Sequence, residues 1–200
     1  MNLEMLLNYD QLKENLVMRV QNESAELADD LVKTKFEDLV ITYYAKIDEN
    51  ERAYAGITHQ LLKQLNVSEE QLKEDALSSS PKIMPATLNS LTTHICGLTG
   101  NSFTPGMGTE PEAWIVTNTE GVYGASAFMY PGVKEWMYAK IGRYFVLPSS
   151  VHEVLLMPDV GTSADDLKAL VKDVNETQLE PGEWLSDNIY YYDGTRVKMV

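Results

Sequence analysis

The chain has 200 residues, 44% of them hydrophobic, and a formal charge of −14 from 30 acidic and 16 basic side chains. A chain of this length buries roughly 70% of its unfolded surface without staples, and its single cysteine, Cys96, excludes an intramolecular disulfide framework. The acids are spread along the chain, so its surface repels phosphate backbones and anionic lipid, and neither nucleic acid nor membrane is an expected partner.

The N-terminus, Met1-Asn2-Leu3-Glu4, has no basic region ahead of an apolar run, and no stretch approaches the ~20 apolar residues of a membrane span. A soluble cytoplasmic protein is the expectation. Leu12, Leu16, Val17 and Val20 recur at helical steps and predict a first helix, with a second over 24–31. Leu39, Ile41, Tyr43, Ala45 and Ile47 alternate with their neighbours, which predicts a strand over 36–47. Asp48–Glu51 makes a turn, and 52–57 returns as its partner. Thr58 caps a helix through Leu65, and Ser68 with Gln71 forms a capping box that opens another through about Leu77.

Residues 97–112 hold four Gly and two Pro and read as a loop or connector. Beyond it come a strand over 114–117, a turn at 118–121 and a strand over 122–129. Pro131 opens a helix whose apolar stripe is Val133, Trp136, Met137 and Ile141, stopped by Gly142. Two strands, 144–147 and 152–157, flank a bend at Pro148-Ser149-Ser150. Ser163 opens a helix lined by Leu167, Leu170, Val171 and Val174. A closing hairpin, 189–192 and 195–199, turns at Asp193-Gly194, where both turn positions call for positive φ. Tight turns between strands make the sheets largely antiparallel, and the class α+β. Two sub-units, 1–96 and 113–200, share an order of hairpin, helix and strand that suggests duplication, joined by the connector 97–112.

The chemistry-bearing residues cluster at 149–153. His152-Glu153 begins like a zinc-protease motif, but the position four after His152 is Leu156, and His59 and His94 have no ligand spacing to it. No metal and no cofactor is expected. Gly124-Ala125-Ser126 begins like a nucleophile elbow, yet Phe128 stands where the second glycine belongs. Ser149, Ser150, His152 and Glu153 are the catalytic candidates. On a strand Ser150 and His152 would share a face, with Glu153 on the other, so Glu153 does not readily orient that imidazole. Hydroxyls after a proline at a bend more commonly bond neighbouring backbone. Cys96 has no basic neighbour that would activate it.

Tyr130-Pro131-Gly132-Val133, then Leu147-Pro148-Ser149-Ser150-Val151-His152-Glu153-Val154, then Pro158-Asp159 resemble an uncharacterised family of unknown function found largely in clostridial-type anaerobic bacteria. Val174–Gln178, Leu185-Ser186-Asp187, Phe36–Leu39 and Ser68–Leu72 extend the likeness over most of the chain, which matches the later portion of longer members. The resemblance implies a bacterial cytoplasmic domain and brings no catalytic residue, cofactor or activity. The leading reading is a non-enzymatic binding or regulatory module acting on a protein partner. The alternative is a hydrolase-like enzyme using Ser149 or Ser150 with His152, and the sequence leaves open whether the chain is an enzyme.

Overall fold

The computed structural model describes residues 4–48, 53–93, 112–180 and 182–200. The fold is α+β, and every strand pairing among the described residues is antiparallel. The chain divides into two units, Met1–Pro85 and Ala86–Val200. Among the described residues their sheets differ in strand number and order.

In the first unit a short helix α1 (Tyr9–Leu12) is capped by the Asn8 side chain and passes through a 3-10 turn (Lys13–Asn15) into β1 (Leu16–Asn22). The helix expected through Leu16, Val17 and Val20 is therefore a strand. Leu16, Val17, Met18 and Val20 are all buried, and a strand covered on both faces gives an apolar run that periodicity alone cannot tell from a helix. No helix forms over 24–31, where the Asn22 carboxamide instead accepts the Ser24 N–H at 2.7 Å.

β2 (Lys33–Phe36) turns at Glu37, whose φ is 54°, into β3 (Leu39–Asp48). β3 pairs with β1 along one edge, and on the other with β2 and then β4 (Ala53–Gly56). Thr58 caps α2 (His59–Leu65) by accepting the Leu61 N–H at 3.1 Å, and Ser68 caps α3 (Glu69–Ile83) by accepting the Gln71 N–H at 3.1 Å. The Gln71 amide donates to Asp75 (3.0 Å), so half of the capping box forms. α3 outruns its expected end at Leu77 because Ser80, fully buried, grips β1. Its hydroxyl accepts the Met18 N–H at 3.1 Å, donates to Ala76 O at 2.6 Å and lies 3.3 Å from Leu16 O. One serine thus partners the Met18 N–H on the edge of β1 away from β3.

The second unit is a sheet in the order β10-β9-β7-β8-β6-β5, built from β5 (Ala86–Ser90), β6 (Trp114–Asn118), β7 (Tyr144–Ser150), β8 (Glu153–Pro158), β9 (Tyr190–Tyr192) and β10 (Val197–Met199). β5 and β6 are neighbours, so the segment between them links two strands of one sheet. Residues 97–111, with Cys96 and His94, lie outside the described residues.

Alternation divides this sheet's faces. Phe145 and Leu147 pack with Leu167 and Val171 of α5 (Ala164–Gln178) and with Ile189, while Leu155, Met157 and Tyr191 flank them. On the opposite face Tyr144 donates to Lys134 O (3.2 Å) on α4 (Val133–Ile141), and Tyr192 meets Tyr138 edge-on at 5.9 Å. The strand expected over 122–129 is instead a buried 3-10 helix (Gly124–Met129), in which Ser126, fully buried, donates to Tyr123 O at 2.9 Å. Within α4, Val133 and Met137 are buried but Trp136 is 50% exposed, so the expected stripe is narrower. In the closing hairpin only Gly194 takes positive φ (104°). The Asp193 carboxylate organises the loop by accepting the Thr195 N–H (2.8 Å), the Arg196 N–H (3.0 Å) and the Thr195 hydroxyl (2.7 Å).

Candidate functional site

The tip of the β7–β8 hairpin carries the candidate residues. The register steps from Leu147–Leu155 to Ser150–Glu153, so β7 has one more residue than β8 between these pairs, a bulge that contains Pro148. A proline has no N–H to offer a ladder, and a bulge is where a strand tolerates it. β7 therefore continues through Pro148 and Ser149 to Ser150, and the reversal falls at Val151-His152, later than the expected bend. The side chain of Ser149 lies outside the described residues.

Ser150 is buried, and its Oγ accepts the backbone N–H of His152 at 3.0 Å. The hydroxyl thus meets the peptide of the histidine, and the imidazole points elsewhere. Its Nδ1 accepts the Tyr123 N–H at 3.2 Å, which places the ring proton on Nε2. Nε2 stands 3.5 Å from Glu183 Oε1, with the two side chains 34% and 39% exposed. Glu153 sits across the hairpin from Ser150. The carboxylate at this histidine is therefore Glu183, far along the chain, and nothing local in the sequence marks it.

The backbone of the tip is held as firmly as the ring. Thr117 donates its hydroxyl to His152 O at 2.8 Å, Ala125 N–H donates to Val151 O at 3.2 Å, and Val151 N–H donates to Glu183 O at 2.9 Å. Facing the tip is a loop shaped by Asn118, whose carboxamide accepts the Glu120 and Gly121 N–H groups and donates to Val122 O. This loop brings Tyr123 to φ 51°, a conformation uncommon for a residue with a side chain, and its N–H then meets the imidazole. The Tyr123 and His152 rings lie 5.9 Å apart at 42°. Gly124 follows, where the backbone passes so close to Thr117 and His152 that a side chain would collide.

His59, the other described histidine, lies in the first unit with Nδ1 3.1 Å from Glu69 Oε1, on the wall of a cavity of about 390 Å³ that Leu62, Lys63 and Val67 also line. Among the described residues no three His, Cys, Asp or Glu side chains are grouped to hold a metal ion. No helix among them is long and apolar enough to cross a membrane.

Residues 1–194 match DUF5688, a family of unknown function. The chain belongs to that family. No curated protein and no solved structure matches it. The DUF5688 match takes in the first sheet and every strand of the second but β10, so Thr117, Tyr123, Gly124, Ser150, His152 and Glu183 all lie within it.

Proposed function

We propose that this DUF5688 chain is a non-enzymatic binding or regulatory module of the cytoplasm that acts through protein contacts, and that Ser150 and His152 hold a bend. One observation carries this reading. Both imidazole nitrogens face partners other than a serine, Nδ1 the Tyr123 amide and Nε2 the Glu183 carboxylate. A serine hydrolase needs its base hydrogen-bonded to the nucleophile, and here the Ser150 hydroxyl meets the peptide N–H of that histidine. The acidic charge of −14 supports protein partners over nucleic acid or anionic membrane. We read Tyr130–Val133 and Pro148–Glu153 as the family's marks, in clostridial-type anaerobes and in the later portion of longer members.

Two measurements on the intact chain test the reading together. Ser150→Ala and His152→Ala should each lower stability in urea by about 1 kcal/mol, the cost of leaving a part-buried N–H without its acceptor. A serine-directed fluorophosphonate probe should label neither Ser149 nor Ser150. Labelling that disappears in His152→Ala while that variant keeps wild-type stability would establish the hydrolase instead.

A further inference from the structure

The face of the second unit that carries α5 has an opening. Leu147 and Leu155 on the sheet and Leu170, Val171, Val174 and Asn175 on the helix line a cavity of about 80 Å³. At its mouth Leu170 is 50% exposed on a charged helix. The lining is apolar with one exception. Asn175 directs its amide N–H groups at Ser186 O (2.8 Å) and Asp187 Oδ1 (2.9 Å), while its own Oδ1 is buried without a hydrogen-bond donor.

Size and charge narrow what enters. Small-molecule pockets run to roughly 300–1,000 Å³, and a cavity several times smaller suits one aliphatic side chain. Residues three and four apart share a helix face, so Asp166 and Asp173 stand beside Leu170, one turn to either side. Lys168 and Lys172 are two residues away, on the opposite side, and Lys172 lies 3.9 Å from Glu176. Asp187 adds a further carboxylate behind Asn175. The mouth is therefore acidic on a chain that is acidic throughout, which disfavours a second copy of itself.

We propose that this slot docks a basic segment of a protein partner, which inserts a single leucine-sized side chain between α5 and the β7–β8 hairpin. The aliphatic anchor displaces water from Leu147, Leu155 and Val174, and the flanking cations meet Asp166 and Asp173. This rests on the reading of the chain as a binding module. The two fail separately, because serine labelling would remove that reading without touching the slot.

The test uses the full chain with methyl-labelled leucine and valine, titrated with the peptide Lys-Lys-Leu-Lys-Lys. The Leu147, Leu155, Leu170, Val171 and Val174 methyls should shift together and saturate. Lys-Lys-Ala-Lys-Lys should bind at least about tenfold more weakly because it lacks the anchor, and Glu-Glu-Leu-Glu-Glu should leave the methyls unmoved. Leu170→Lys and Asp173→Lys, both at exposed positions and checked for wild-type circular dichroism, should each weaken the lysine–leucine peptide several-fold. Absence of methyl shifts at millimolar peptide would overturn the proposal. So would equal binding of the alanine peptide, binding of the glutamate peptide, or shifts that track protein concentration alone and so report a second copy in the slot.

Discussion

A Cβ on Gly124 would overlap Thr117 Oγ1 and the His152 carbonyl oxygen and stand 2.8 Å from the Asn118 nitrogen. Two of those neighbours are backbone, which cannot swing aside as a side-chain end could. Gly124→Ala should therefore destabilise the chain by about 1–3 kcal/mol, as overpacking does, and urea unfolding read by tryptophan fluorescence would show it. A wild-type midpoint would mean that the 3-10 helix shifts freely against the hairpin tip. The sequence offered part of this site. Ser150 could be read as bonding local backbone because short hydroxyls do so, whereas Pro148, expected at the bend, lies in the bulge of β7. Glu183 and Tyr123 could not be foreseen, since their approach to the imidazole depends on two distant loops and leaves no trace in spacing.

Helix starts were the most legible elements, because a capping hydroxyl acts on an N–H two or three residues away. Thr58, Ser68 and Ser163 each cap the helix that follows. β1 and the 3-10 helix at Gly124–Met129 were misread because burial on every side erases the alternation that separates strand from helix. The contact between Ser80 and β1 lies beyond any local pattern, yet it carries energy. Ser80→Ala strands the Met18 N–H in a fully buried place, so the loss should be about 1–3 kcal/mol in urea or thermal unfolding. An unchanged stability would mean that the edge of β1 finds water. The closing hairpin gives a pH signature. Hydrogen bonds from the Thr195 hydroxyl and from the Arg196 and Thr195 amides hold the Asp193 carboxyl well below 3.8, its usual value. A group lowered on folding stabilises fully above its unfolded pKa, and that contribution drains away as pH falls toward the folded one. Asp193→Asn keeps an acceptor and loses the charge. Its midpoint should sit below wild type at pH 6 and converge on it as pH drops below about 4; parallel curves would contradict the assignment.

At the scale of the whole molecule, a charge of −14 on 200 residues makes self-repulsion a standing cost of folding. Raising NaCl from about 0.01 to about 0.15 M shortens the screening length from ~30 to ~8 Å. Thermal unfolding by circular dichroism should accordingly shift to higher temperature over that range. A fall would mean that specific ion pairs outweigh the net charge. Within the first unit, β3 is flanked along both edges, by β1 on one side and by β2 and β4 on the other. Each of its central amides points to one edge only, so the neighbour on that edge must part before deuterium can reach it. Partial fraying at either end of the sheet leaves that middle untouched. Isotope exchange at Ile41 and Tyr43, two residues apart and so facing one edge, thus reports the free energy of opening that edge of β3, and the two residues act as its built-in gauge.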